Sequence, residues 1–529
     1  MMRKKTVSLI MCLLIIAVML SMTGCAGNGE NSNIDRSNTL IYGSGDYTAI
    51  NPALYEHGEI NALIFAGLTA HDAQNNVVPG LAESWDFDKK TNTYTFKLRE
   101  GLTFHDGEPL TSEDVKFTLE AILDPANGSE IISNYTDIEA IDCRDELTVE
   151  IKLSQPNVAF PDYMTIGILP KHILEGEDLP TCDFNRNPVG AGPYKLTDWD
   201  MGQSITMERF ENYYGGEPNI EKVIFKIVPD TDARAMQLAA GEIDMAQITA
   251  KTAASFDEED YPGAHEFVVY RMKTADYRAI AYNFNHPFFA ENPELANILS
   301  YAIDRQAIVE SVLLGEGEAA YSPLQAGEYS NDSIEKFEYN PDKCKELLEA
   351  AGWKKGADGY YEKNGQQLAF VISAMADDKV RVDMAVMCAA QLQKVGANVT
   401  AETRPSLDWT GQYACIIGWG SPFDPDDHTY KVFSTDAGDN YTGYSNAQID
   451  ELLAEARHTE NAAKRAKLYD QFQAVMTEAM PYTFIAYVDA DYAMKANIKG
   501  ITENTVLGHH GVGVFHNIAE WTIENEQNS

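Results

Sequence analysis

The sequence predicts a multi-lobed protein of mixed α and β structure. Three observations carry this expectation. Beyond a short leader the 529-residue chain keeps roughly 490 residues, more than one hydrophobic core usually covers. Segments that alternate apolar and polar residues interleave with segments whose apolar residues recur at helical spacing. No fixed-period repeat or low-complexity block interrupts them.

The elements follow in order along the chain. Arg3-Lys4-Lys5, the apolar run Val7 to Leu20 and the small-residue stretch Ser21-Met22-Thr23-Gly24-Cys25 read as a secretory signal over residues 1–24. The apolar run is roughly 14 residues, short of the ~20 that a permanent membrane span requires. Residues 25–36, rich in Gly, Asn and Ser, read as a flexible tether. Tyr94 to Leu98 alternates in strand fashion, with Asp106-Gly107 as a following turn. Ser112 to Leu123 carries a helical pattern, capped by Thr111 or Ser112, with Glu113 and Asp114 at its positive end. A helix starting at Asn340-Pro341 places Cys344, Leu347, Leu348 and Ala351 on one face and closes at Gly352. Asn446 to Met480 holds one or two amphipathic helices, stopped by Pro481. Strand-like segments lie at Val223–Val228, Ile280–Phe284, Leu368–Ile372, Ala414–Ile417 and Tyr482–Val488.

A formal net charge of -41 argues against nucleic-acid or anionic-surface binding, which require a basic face. Beyond Cys25 the cysteines are Cys143, Cys182, Cys344, Cys388 and Cys415, with no Cys-x-x-Cys pair or metal-ligand spacing, so free thiols are expected. Neither His-Glu-x-x-His nor Gly-x-Ser-x-Gly nor a Gly-x-x-x-x-Gly-Lys phosphate loop occurs. The chain is therefore read as a binding protein rather than an enzyme, needing no cofactor and no resident metal. A secreted hydrolase is the remote alternative.

A long, ordered set of motifs sharpens this reading. Leu81-Ala82-Glu83-Ser84-Trp85, the run Tyr94 to Leu110, and Glu113-Asp114-Val115 closely resemble the solute-binding proteins of family 5. The resemblance continues at Pro188 to Tyr194, Asn212-Tyr213-Tyr214-Gly215, Gly241-Glu242-Ile243-Asp244, Ala302-Ile303-Asp304-Arg305, Ala350-Ala351-Gly352-Trp353, Gly418-Trp419 and Tyr444-Ser445-Asn446. It implies a two-lobed periplasmic-binding-protein type II (cluster C) α/β fold with an inserted subdomain in the first lobe. Lobe I would comprise residues 37–83, 185–282 and 499–529, the insertion 84–184, and lobe II 283–498. The implied partners are a peptide or small-molecule ligand and the transmembrane subunits of an ABC permease, with the receptor a monomer. Cys25 after Gly24 resembles a lipobox, which implies acylation of Cys25 and anchoring on the outer face of the cytoplasmic membrane.

The resemblance also bears on the ligand. Gly418-Trp419-Gly420-Ser421-Pro422-Phe423-Asp424-Pro425 falls where peptide-binding relatives hold a peptide α-ammonium with an aspartate, and Ser421 takes that place here. The turn looks closer to the nickel-chelate branch, as does Asn51 to Tyr55. Against that branch, Ser434-Thr435-Asp436-Ala437 lacks the expected histidine, and Thr165 to Ile168 lacks the expected arginine. A short peptide and a small metal chelate therefore both stay open, as does a dedicated nickel or metallophore receptor. Tyr55, Trp419, Ser421 and Phe423 are the ligand positions this resemblance implies. His57 and His428 are weighed as further contacts against ordinary surface or loop positions. Arg404 is weighed as a carboxylate anchor against a surface ion pair. The cluster His509-His510 with His516 is read as solvated or packed.

Overall fold

Strand pairing divides the chain between two large sheets. The computed structural model describes residues 36–55, 58–256, 266–324 and 329–524. Arg36–Asn38 forms a 3-10 turn, and the residues from Leu40 onward form one unit. In this unit a seven-stranded sheet has the spatial order Phe267–Met272, Ala490–Lys495, Met245–Ile248, Thr39–Ser44, Lys222–Ile227, Ser204–Arg209, Tyr194–Asp200. A six-stranded sheet has the order Gly317–Ala319, Tyr482–Val488, Tyr277–Tyr282, Ala414–Trp419, Ala369–Met375, Asn398–Arg404. Its parallel pair Ala369–Met375 and Asn398–Arg404 is joined by the helix Lys379–Lys394, as a parallel crossover requires. A four-stranded antiparallel sheet, built from Ala82–Asp88, Thr93–Leu98, Thr148–Leu153 and Ile138–Asp145, forms a smaller layer.

Each large sheet has its own apolar interior. Tyr42, Phe225 and Tyr492 of the seven-stranded sheet share a buried cluster with Tyr94 and Phe96 of the four-stranded sheet. The six-stranded sheet buries Tyr282, Ile416 and Phe484 in a separate cluster with the helices around it. A further, smaller cluster gathers Ile41, Ile224 and Leu238 on the seven-stranded sheet; more than one interior is what a chain too long for one core produces, and the result is the expected two-lobed α/β fold.

Local signals act as their chemistry dictates. Tyr94, Phe96 and Leu98 face inward while Lys97 is exposed. The helix Ser112–Leu123 starts at Thr111, whose backbone amide donates to the Asp114 carboxylate at 2.8 Å, half of a capping box. The Asn340 side chain accepts from the Lys343 amide at 3.0 Å at the head of Pro341–Ala350. The Asn446–Met480 region resolves into two helices, Ala447–Arg457 and Ala462–Glu478. Among the described cysteines none is bridged, and Cys344, Cys388 and Cys415 are buried.

The chain passes between the two sheets at residues 273–276 and again at Asp489. These crossings lie side by side: the Thr274 hydroxyl donates to the Val488 carbonyl at 2.6 Å, and the Val488 amide donates to the Asp276 carbonyl at 3.0 Å. Boundaries at 282/283 and 498/499 therefore fall one strand late. Tyr277–Tyr282 pairs with Ala414–Trp419 and Tyr482–Val488 in the six-stranded sheet, and Ala490–Lys495 pairs with Met245–Ile248 in the seven-stranded one. Both strands are buried nearly throughout, so hydrophobic pattern cannot assign them to a sheet; hydrogen-bond partners do.

Candidate functional site

A cavity of about 350 Å³ is lined from both halves, within the range of small-ligand sites. The six-stranded sheet delivers its central strand Ala414–Trp419 to the cavity, and the chain then turns through Gly420 into the helix Asp426–Phe433. Only glycine fits at 420, because a Cβ there would lie 2.0 Å from the Ala275 carbonyl oxygen. This close approach fixes where Trp419, Ser421 and Phe423 stand.

Four predicted positions converge there with His428: Tyr55 and Trp419, Ser421 and Phe423 all line the cavity. Tyr55 is half-buried, in the turn where the Asn51 side chain accepts from the Ala53 amide at 3.1 Å. Trp419 is nearly enclosed, with the Lys431 ammonium 5.7 Å from its ring. The Ser421 hydroxyl accepts from the Phe423 amide at 3.3 Å. Phe423 stacks on His71, with ring centroids 3.7 Å apart and planes 6° from parallel. Cys25 and His57 lie outside the described residues. Arg404 is not in the lining. It ends an edge strand, 55% exposed, with its Nε 2.7 Å from the Glu402 carboxylate.

Three aspartates at the end of the turn and the start of the helix meet three different fates. Asp424, just ahead of it, takes a bidentate pair with Arg465, both contacts 2.6 Å. Asp426 is fully buried against Arg457, 2.8 Å from Nε and 2.7 Å from Nη2, and also accepts from the Tyr163 hydroxyl. Asp427 lines the cavity, accepts from Asn134 at 3.2 Å and lies 3.9 Å from Lys431. Burial acts to raise its pKa, but the charges of Lys431 and His428 and the bonds from Ser421 and Asn134 hold it below the ordinary carboxylate value. Lys431, only 1% exposed, is shared between Asp427 and Asp439.

Imidazoles from three parts of the chain line the same space: His71, His428, His509 and His516. His71 lies 3.0 Å from Asp162. Burial lowers the pKa of His428, whose Nε2 reaches the Pro323 carbonyl at 3.4 Å and whose Nδ1 has no partner among the described residues. His509, also pushed down by burial, sits 2.9 Å from Asp276. Asp276 stays well below the carboxylate range because Arg278, at 2.6 Å, and His509 outweigh its burial. Across the cavity wall Glu59 accepts from the Tyr42 hydroxyl at 2.8 Å and from the Tyr492 hydroxyl at 3.0 Å. Burial pushes the Glu59 carboxyl up to about 7.

His71, Asp162, Glu59, Asp427 and Lys431 escape sequence reasoning. For Asp427 and Lys431 a signal existed: they stand at i and i+4 just after the Trp-Gly turn, so they share a helix face with that turn. His71 and Glu59 carry no local mark, since their role depends on strands and loops distant in sequence. His509 and His516, read as packed or solvated, do pack, and they do so on the cavity wall.

Comparison with known proteins places this geometry. Residues 76–442 match the family model described as bacterial extracellular solute-binding proteins, family 5 Middle. The oligopeptide-binding protein AppA of Bacillus subtilis (strain 168) is 31% identical, over 98% of this chain and 99% of the relative. The crystal structure of NikZ from Campylobacter jejuni in complex with Ni(L-His) superposes with a TM-score of 0.87 at 35% identity, covering 92% of this chain and 99% of that one. The structure of Bacillus subtilis AppA with a nonapeptide gives 0.84 at 30% identity, over 92% and 99% of the two chains.

Proposed function

Because the chain belongs to the bacterial extracellular solute-binding proteins of family 5, we propose that it captures a short peptide or small metal chelate between its two lobes for an ABC importer. It is a binding protein, not an enzyme, and it serves transport by handing solute to a membrane permease. The observation that carries the ligand reading is the cavity itself: about 350 Å³, lined by aromatic faces from both halves and by a few aimed polar groups. Closure of one half on the other buries solute there and presents the changed surface a permease reads. The paired crossings at 273–276 and 489 suit a hinge, with residues 84–184 as an insertion in the first lobe. Likeness to AppA favours a peptide.

A second reading, a nickel-chelate receptor, is favoured by the four imidazoles on the wall and by likeness to NikZ. The nickel would be cargo. Protein purified without chelators is to be denatured and its released ligand identified by mass spectrometry and elemental analysis. Peptide masses are expected; nickel with histidine selects the second reading, and recovery of no small molecule together with no thermal stabilisation by either class overturns both. Acylation at Cys25 would hold this monomeric receptor on the outer face of the cytoplasmic membrane. A Cys25→Ser chain recovered in the membrane fraction at the wild-type level would refute that anchor.

A further inference from the structure

Three of the four acidic residues on the cavity wall are already engaged. Asp162 has His71 at 3.0 Å, and Asp427 has Lys431 at 3.9 Å with the Asn134 amide at 3.2 Å. Asp72 is taken up in its own turn, accepting from the Asn76 and Gln74 amides at 2.9 Å each. Glu59 differs. Its donors are the neutral hydroxyls of Tyr42 and Tyr492, and among the described residues no lysine, arginine or histidine nitrogen lies within ion-pair distance of it. The backbone packs closely on one side of it: a Cβ at Gly511 would approach Glu59 Oε1 to 2.9 Å and the Tyr492 hydroxyl to 2.1 Å, and Gly511 has a φ of +78° that a side chain would strain, so this wall fixes the carboxyl while its other side lines the cavity. A carboxyl drawn out of water with lone pairs left over, facing a cavity, is a seat for a donor that arrives with the ligand.

Resting on the receptor reading above, we infer that Glu59 is a specificity-determining residue that seats a cationic N–H group of the ligand, an ammonium or guanidinium. This places the charge partner in the first half of the molecule, whereas Ser421, in the second, offers only a hydroxyl that already accepts from Phe423. The cation would complete a charge-assisted bond in a site that two tyrosine hydroxyls hold in place. An α-ammonium and a side-chain ammonium share this chemistry, so the probes must separate them.

The test uses the mature chain and three probes: alanyl-alanine, which has only an α-ammonium; N-acetyl-alanyl-lysine, which has only a side-chain ammonium; and N-acetyl-alanyl-alanine, which has neither. Calorimetric titration of the wild type is expected to detect one or both cationic probes and not the third. Glu59→Gln keeps an oxygen for the tyrosine hydroxyls and is expected to weaken the cationic probe by about tenfold or more. Glu59→Asp, which keeps the charge, is expected to weaken it less, and a single cooperative unfolding transition of either unliganded variant, with a wild-type circular dichroism spectrum, shows that folding is intact. Equal affinity of an ammonium-bearing probe for wild type and Glu59→Gln, tighter binding of the probe that lacks an ammonium, or no binding of either ammonium-bearing probe each overturns the assignment. The receptor reading is judged separately, by whether denaturation of the wild type releases any small molecule.

Discussion

At the scale of single residues the site is a set of charges whose states depend on who reaches them. Asp424, Asp426 and Asp427 lie within four positions, yet one is clamped by Arg465, one is buried with Arg457, and one faces the cavity beside Lys431. Glu59 shows the same dependence through its acidity. Tyr42, Tyr47, Tyr492 and the more distant Arg234 surround it, and burial raises the carboxyl to about 7 from an ordinary 4.5. Between those values the folded chain holds a proton that the unfolded chain has released. Its contribution therefore stabilises below the unfolded value and is lost as pH rises through about 7. Melting curves of the unliganded protein from pH 5 to pH 8 are expected to show Glu59→Gln gaining on the wild type as pH rises. A constant difference across that range would sink the reading.

At the scale of elements, backbone spacing decides where the ligand groups stand. The strand Ala414–Trp419 pairs with Tyr277–Tyr282, setting Trp419 opposite Tyr277 and Gly418 opposite Arg278. Gly420 then lets the chain press against Ala275 before the helix at Asp426 begins. Gly420→Ala places a methyl group 2.0 Å from a backbone oxygen, so strand and turn must separate. A loss of about 2 kcal/mol or more of stability is expected, together with weakened binding. Urea unfolding checks this, and an unchanged midpoint would mean that the turn tolerates the shift. The residue types Trp-Gly-Ser-Pro-Phe mark the turn in the sequence; the reason for the glycine lies in Ala275, some 145 positions away and visible only once the strands pair.

At the scale of the whole molecule, bonds cross from the four-stranded subdomain to the helices packed on the six-stranded sheet. Tyr163 donates to Asp426, Arg457 Nη1 donates to the Ser133 carbonyl at 2.9 Å, and His458 lies 3.2 Å from Asp137. The Asp426–Arg457 pair lies wholly on one side and survives if the halves part. Tyr163→Phe removes one crossing bond and leaves that pair intact. Small-angle scattering is expected to show a larger radius of gyration for the unliganded variant than for the wild type, and ligand is expected to leave it about tenfold faster or more, since one hydrogen bond to a charged group is worth about 1.5–3 kcal/mol. Identical scattering and release would show that Tyr163 does not help hold the halves together. Arg457→Ala is the contrasting change: it strands a buried carboxylate and is expected to cost about 3–5 kcal/mol of stability.

Local chemistry in the sequence determined much of this protein: the helix starts at Thr111 and Asn340, the inward alternation from Tyr94, the need for more than one core, and the family turn at Gly418 to Pro425. Those features depend on neighbours within a few positions, which a sequence displays directly. Tertiary structure alone decided which sheet holds Tyr277–Tyr282 and Ala490–Lys495, because both are buried in either arrangement. It alone brought His71 onto Phe423, set Glu59 against Tyr42 and Tyr492, and left Arg404 at a sheet edge with Glu402. The fold class was legible because burial is periodic along the chain. The ligand's surroundings were not, because a cavity is made of residues whose only relation is that the folded chain brings them together.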